Sequence, residues 1–256
     1  MDNTPTAKRH FPKSPRWLLY IFLEKFLPQF FITRINLETF GIVQFMAFAS
    51  REVHPSQTVL DAGAGQCPYR HFFSNSHYQS CDIINSSVEH TFICNLDSIP
   101  KKDSSFDAII NTQVLEHVKN PAKVLEEFFR VLKPGGKLFL TAPQGWGIHE
   151  APNHYFNFTC FGLELLFNNA GFKIVSIKPR GGIFWYLGCR LRNLPNYIWS
   201  QLSSIQKLFL FPIDLLLMPF FCFLIPFACY YLDNLDKRKD YTLGYACYCI
   251  KPDICQ

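Results

Sequence analysis

Val59-Leu-Asp-Ala-Gly-Ala-Gly65 decides how the rest of this chain is read. The stretch begins apolar, so Thr58–Leu60 is expected as a short strand, and it closes on two glycines. An apolar strand ending in Asp-x-Gly-x-Gly lets the backbone turn tightly at the strand's carboxyl end, where open α/β sheets bind ligands. Gly63 and Gly65 permit close approach of a ligand, and Asp61 either orients the loop or meets an ammonium group. A plain tight turn uses the same residues, so the loop needs support. Asp82 supplies it: this acid ends the next expected strand, Tyr78–Asp82, where a carboxylate can accept both hydroxyls of a ribose. A dehydrogenase would carry Gly-x-Gly-x-x-Gly, with a third glycine for close helix packing. Here Gly65 is followed by Gln66-Cys-Pro-Tyr69, and that reading fails.

Outward from the loop, strand and helix patterns alternate. Thr91–Cys94 reads as a weak third strand, Phe106–Asn111 as a fourth, Lys137–Ala142 as a fifth and Phe172–Lys178 as a sixth. Asn120–Leu132 reads as a helix, capped by Asn120, with Pro121 at its first position and Lys133-Pro-Gly-Gly136 as its stop. Thr159–Ala170 reads as another, stopped by Gly171, and Thr242–Ile250 as a last strand. Alternation of this kind predicts a parallel sheet covered on both faces. Ahead of it, residues 14–50 read as helical, with a break at Pro28. The resulting division is an N-terminal helical cap (1–50), a core (51–178), an apolar, basic-aromatic insertion (179–240), and the last core strand with a tail (241–256).

Several segments together resemble a known family. Asp61-Ala-Gly-Ala-Gly65, then Asp82, then Ser105-Phe-Asp-Ala-Ile-Ile-Asn-Thr-Gln-Val-Leu-Glu-His117, then Arg130-Val-Leu-Lys-Pro-Gly-Gly136 are similar to class I S-adenosylmethionine-dependent methyltransferases. The branch that includes ubiquinone- and menaquinone-type methyltransferases is the nearest in look. The resemblance covers residues 55–180 and implies a Rossmann-like seven-stranded sheet of order 3-2-1-4-5-7-6, the last strand antiparallel between the fifth and sixth. It implies S-adenosyl-L-methionine as cofactor, with Gly63–Gly65 under its methionine part and Asp82 on its ribose. Asn95-Leu96 matches the place of an acid that contacts adenine; asparagine keeps one acceptor and drops the charge. Gln113 would face the methyl-bearing end. The connection Ile83–Val88 is too short for the family's usual helix, which leaves the adenine side more open.

Methyl transfer from a sulfonium is an in-line displacement, so much of its rate comes from holding nucleophile and methyl carbon in near-attack geometry. A base is required where the nucleophile arrives protonated. His154 and Tyr155, in the loop after the fifth strand near His149 and Glu150, are one candidate pair; Glu116-His117, after the fourth strand, is the other. Against these stand plainer readings: His117 as a packing residue and His154 as a surface loop residue. Some ubiquinone O-methyltransferases bind a divalent metal through Glu-x-x-Glu-His. This chain has Gln113-Val-Leu-Glu-His117 without the first carboxylate, so no metal is expected. Oxygen is the expected target atom, since histidines help deprotonate a hydroxyl.

Of 256 residues, 48% are hydrophobic, 27 are phenylalanine and only 18% are charged, fewer than the quarter usual for a soluble domain. The excess is concentrated. Between Leu208 and Leu232 Asp214 is the sole charge, and Leu215–Leu232 has none over eighteen residues. That length admits a membrane span, yet both ends of the insertion must return to one sheet, so the segment must double back, lie along an interface or pack on protein. Pro212, Pro219 and Pro226 favour kinks or a re-entrant shape over a straight helix. Upstream, Trp185, Tyr186, Tyr197 and Trp199 are interleaved with Arg190 and Arg192, a combination suited to lipid headgroups. Basic Lys8–Arg16 ahead of apolar Trp17–Phe31 would join the same face. Membrane contact through 183–232 is therefore expected, at the cytoplasmic face, with an amphiphilic or lipid-linked acceptor. A buried lid or a homodimer interface is the alternative, and a non-catalytic membrane scaffold a further one. The 10 cysteines form no Cys-x-x-Cys pair and read as buried thiols of a reducing compartment. Glu24 and Lys25 interrupt the first apolar stretch, so no signal peptide is expected. Nucleic acid is not expected as a partner, because the cations are embedded among apolar residues.

Overall fold

The computed structural model describes residues 26–84 and 87–253; the expectations for Lys8–Arg16 and for Trp17–Lys25 lie outside these residues. Strand β1 (Thr58–Ala62) pairs in parallel with β2 (His77–Asp82) on one side and β4 (Phe106–Thr112) on the other. The short β3 (Phe92–Ile93) closes that edge beside β2. Beyond β4 lie β5 (Leu132–Pro143), β7 (Gly244–Ile250) and β6 (Lys173–Pro179), with β7 antiparallel to both neighbours. The order β3-β2-β1-β4-β5-β7-β6 is the one the family resemblance implied.

Both faces of the sheet are covered because alternate side chains of each strand point opposite ways. Leu60 joins a core with Phe128 of α3 (Pro121–Val131) and Phe167 of α4 (Cys160–Asn169). Val59, one residue earlier, joins Ile42 and Met46 of α2 (Leu37–Glu52) on the opposite face. Helix α3 starts as its sequence dictates: Asn120 Oδ1 accepts from the Lys123 amide at 3.2 Å and Pro121 fills the first turn. Lys133-Pro-Gly-Gly136, expected as a helix stop, is already part of β5, because Gly135 and Gly136 bond the backbone of Lys251 after β7. The N-terminal segment breaks at Asn36 as well as at Pro28, giving a separate α1 (Gln29–Ile35).

The insertion is a helical hairpin. Helix α5 (Ile183–Gln201) leaves the end of β6, and the chain turns at Leu202 and Ser203. It returns as α6 (Ser204–Pro219), a π turn (Phe220–Leu224) and α7 (Ile225–Leu232). The segment doubles back, as its two anchored ends require. Yet the prolines do not break it: residues Ser204–Leu235 form one continuous helix long and apolar enough to cross a membrane. The wider π turn between Pro219 and Pro226 accommodates rings that an ideal α-helix would reject. At the root, the buried Asp233 carboxylate accepts from the amides of Gly182 at 2.9 Å and Trp185 at 3.1 Å, capping α5 and tying the outgoing chain to the returning one. Farther out the hairpin is bare: Leu208, Phe209 and Leu216 are each at least 74% exposed.

Candidate functional site

The carboxyl ends of β1, β2 and β4, the root of β6 and the first turn of α2 meet at one rim. Gly63 and Gly65 both hold positive φ, 74° and 54°, and the amides of Gly63 and Ala64 donate to the Cys81 carbonyl at 2.9 and 3.1 Å. A methyl group on Gly63 would stand 2.6 Å from Val114 Cγ1, so the loop closes against the segment after β4. At Gly65 the same test meets nothing within 4 Å: this is the open side, where a ligand can lie on bare backbone. Asp82 reaches over the loop, one oxygen accepting from the Gly65 amide at 2.8 Å and the other from Ile83 at 2.7 Å. A carboxylate offers about four acceptor positions, so two remain for hydroxyl donors.

Asp61 is buried beneath the loop and accepts from Tyr78 Oη at 2.5 Å. Burial pushes its carboxyl up to about 7, opposed by that hydrogen bond and assisted by the neighbouring Asp82. A buried acid so poised is where a cationic ammonium would be welcome. Asn95 is exposed and Leu96 buried, immediately after the short β3. Gln113 takes a positive φ of 55° at the end of β4 and donates from Nε2 to Thr141 Oγ1 at 3.1 Å, which fixes its side chain against β5.

The candidate base residues do come together. His117, His149 and His154 form a cluster with ring centroids 4.7 Å apart (His117–His149), 4.4 Å apart (His149–His154) and 5.7 Å apart (His117–His154). His117 Nδ1 bonds the Asn153 carbonyl at 2.7 Å, which as a donor leaves Nε2 the accepting nitrogen. That Nε2 lies 3.8 Å from Glu150 Oε2 and 4.0 Å from Glu116 Oε1. His154 bonds the Phe156 carbonyl through Nε2 at 3.1 Å, and burial with the adjacent His149 holds its imidazole below the usual value. Tyr155 is exposed, its hydroxyl spent on Asn153 at 3.2 Å. Glu116, His117 and His149 each bring one ligating atom within 4.8 Å of the others.

Sequence reasoning named Glu116 beside His117 but not its burial, and gave no role to Glu38 or Arg180. Glu116 is 0% exposed, neither carboxylate oxygen has a hydrogen-bond partner, and burial pushes its carboxyl up to about 8. Arg180, directly after β6, is 3% exposed. Glu38, in the first turn of α2, is raised by burial and opposed by Arg180 and Arg190. Arg190 lies 4.3 Å over the Trp146 ring and 5.4 Å from that of Tyr186. The Arg180-Gly-Gly run at a strand end was the one available signal; nothing local marks Glu38.

Residues 60–140 match a family model described as a methyltransferase domain. The chain is 34% identical over 86 residues to a probable S-adenosylmethionine-dependent methyltransferase of Mycolicibacterium smegmatis, covering 31% of this chain and 34% of that protein. It is 28% identical over 125 residues to the mitochondrial ubiquinone biosynthesis O-methyltransferase of Homo sapiens, covering 48% and 30%. It thus spans about a third of the length of these curated relatives. Among solved structures, the 1,6-didemethyltoxoflavin-N1-methyltransferase of Burkholderia thailandensis shares the fold at a TM-score of 0.50 and 14% identity, over 98% of this chain and 94% of that one.

Proposed function

We propose, from the match of residues 60–140 to a methyltransferase-domain family model and the likeness to a probable S-adenosylmethionine-dependent methyltransferase, that this chain methylates an oxygen of an amphiphilic or lipid-linked acceptor at the cytoplasmic face of a membrane. S-Adenosylmethionine supplies an electrophilic methyl group when bound. The chain's own residues fit that cofactor: open backbone at Gly65, a carboxylate at Asp82 with free acceptor capacity, and a buried acid at Asp61 for the ammonium. Asn95 and Leu96 would meet the adenine, and Gln113 would border the methyl-bearing end. His154, whose imidazole burial holds below its usual value, and His117, with Nε2 accepting, would take the acceptor's proton. Tyr155, with its hydroxyl engaged on Asn153, would serve by lining the acceptor's path.

One observation carries the membrane reading: the exposed apolar hairpin is rooted between β6 and β7, beside the rim that holds the glycine loop. Contiguous apolar surface of this extent is rarely left to water. An acceptor with an apolar tail would thus reach the site from the lipid side. Calorimetry with S-adenosylmethionine, alone and after mixing with anionic phosphatidylglycerol vesicles, tests both halves. Binding that co-floats with vesicles, and flotation lost in the Phe209→Asp, Leu216→Asp double variant at unchanged cofactor affinity, is the expected result. Cofactor binding by a dimer that ignores vesicles would favour a soluble enzyme with a dimerising lid. Vesicle binding without any cofactor binding would favour a scaffold.

A further inference from the structure

Arg180 is the least satisfied charge in the described part of the molecule. Its backbone is fixed: the amide donates to the Gly244 carbonyl at 2.7 Å and its carbonyl accepts from Thr242 Oγ1 at 3.1 Å. Its side chain is not. Nε, Nη1 and Nη2 are all buried and none has a hydrogen-bond partner. A guanidinium carries five donors, and burying one unpaired is among the costliest arrangements a fold can keep. The room around it is kept clear as well. A methyl group on Gly244 would stand 2.7 Å from Nη2. Glu38, Glu116 and Tyr69 are near enough to act on it electrostatically, yet no ion pair within 4.0 Å joins it to either acid among the described residues. Glu116 is itself unpartnered at both oxygens.

Resting on the methyltransferase reading, we propose that Arg180 is the anion-binding group of the acceptor subsite, and that the acceptor presents a carboxylate to it. The planar donor fork matches a carboxylate bidentately. A carboxylate could also come from the methionine end of the cofactor. The reach toward Glu116 argues for the acceptor, since Glu116 adjoins the histidine cluster that would face it. Tyr186 and Arg190, on the first helix of the hairpin, pack with Trp146 from the loop after β5 and suit an acceptor that enters tail outward.

The test uses the whole chain with S-adenosylhomocysteine, which binds without turning over. Benzoate and octanoate are titrated into the S-adenosylhomocysteine-saturated protein, with benzyl alcohol as the uncharged control, for wild type, Arg180→Met and Arg180→Lys. Wild type should bind the carboxylates and not the alcohol; Arg180→Met should lose about tenfold or more of that affinity, and Arg180→Lys should keep part of it. Arg180→Met should bind S-adenosylhomocysteine like wild type and melt at the same temperature or higher, since it removes an unpaired buried charge. Loss of S-adenosylhomocysteine affinity in Arg180→Met would assign the guanidinium to the cofactor and overturn the proposal. So would a lower melting temperature, equal carboxylate binding by the variant, or no carboxylate binding by wild type. If wild type bound no S-adenosylhomocysteine, the enzymatic reading would fail by itself, and the same titration of the free protein would still decide whether Arg180 holds a carboxylate.

Discussion

The Asp82 carboxylate accepts the Gly65 amide at 2.8 Å, so the acid that ends β2 holds the loop that ends β1. One side chain therefore shapes the cofactor cradle and presents acceptors into it. Asp82→Ala should abolish measurable S-adenosylmethionine binding in calorimetry. It should also lower the unfolding free energy by about 0.5–1.5 kcal/mol, through the two solvent-accessible backbone hydrogen bonds it removes. Retained micromolar binding would remove Asp82 from the site.

Gly63 is constrained twice, by a φ of 74° and by Val114 standing 2.6 Å from where a Cβ would be. Gly63→Ala should cost about 2–4 kcal/mol in denaturant unfolding, from backbone strain and overpacking together. Pairing it with Val114→Ala relieves the contact and leaves the φ, so about half the loss should return. Full additivity of the two single effects would show that the contact is not shared.

Stability without ligand should fall as pH rises from about 5 to 8. Asp61 and Glu116 are raised by burial to about 7 and about 8, well above their values in an unfolded chain. Over that interval the folded state holds protons that the unfolded state has released, so raising the pH favours unfolding. Tyr78 and Asp82 face Asp61; Arg180, Glu150 and Glu38 act on Glu116. Glu116→Gln should flatten the upper part of the slope and Asp61→Asn the lower part. Melting temperatures that rise from pH 5 to 8 in wild type would contradict both assignments.

His154 has a depressed imidazole and sits within the histidine cluster. With labelled methyl transfer into detergent-solubilised membrane lipid as the readout, His154→Ala should reduce turnover by about 10²–10⁴-fold while leaving S-adenosylmethionine affinity intact. His117→Gln should give a smaller loss if His117 mainly orients the loop through Asn153. Full turnover in His154→Ala would exclude it as the base.

Local chemistry made much of this readable in advance. Asp61, Gly63 and Gly65 announce a loop because few residues accept that turn, and Asn120-Pro121 announces the start of α3 because both act within one helical turn. Strand order followed from the family motifs, and the return of the insertion followed from its two anchored ends. The prolines announced an irregularity in the returning helix, and packing at Met218, Cys222 and Phe223 decides that it takes the form of a π turn.

Glu38, Glu116 and Arg180 stand for the remainder. They lie in α2, after β4 and after β6, with nothing in their spacing to connect them. The sequence by itself determined the elements and the cofactor loop, since backbone preference and hydrophobic period act over a few residues. Only the tertiary structure decided that three charges would be buried at one rim beneath an apolar hairpin, because burial and electrostatic neighbourhood arise when the sheet brings distant strand ends together.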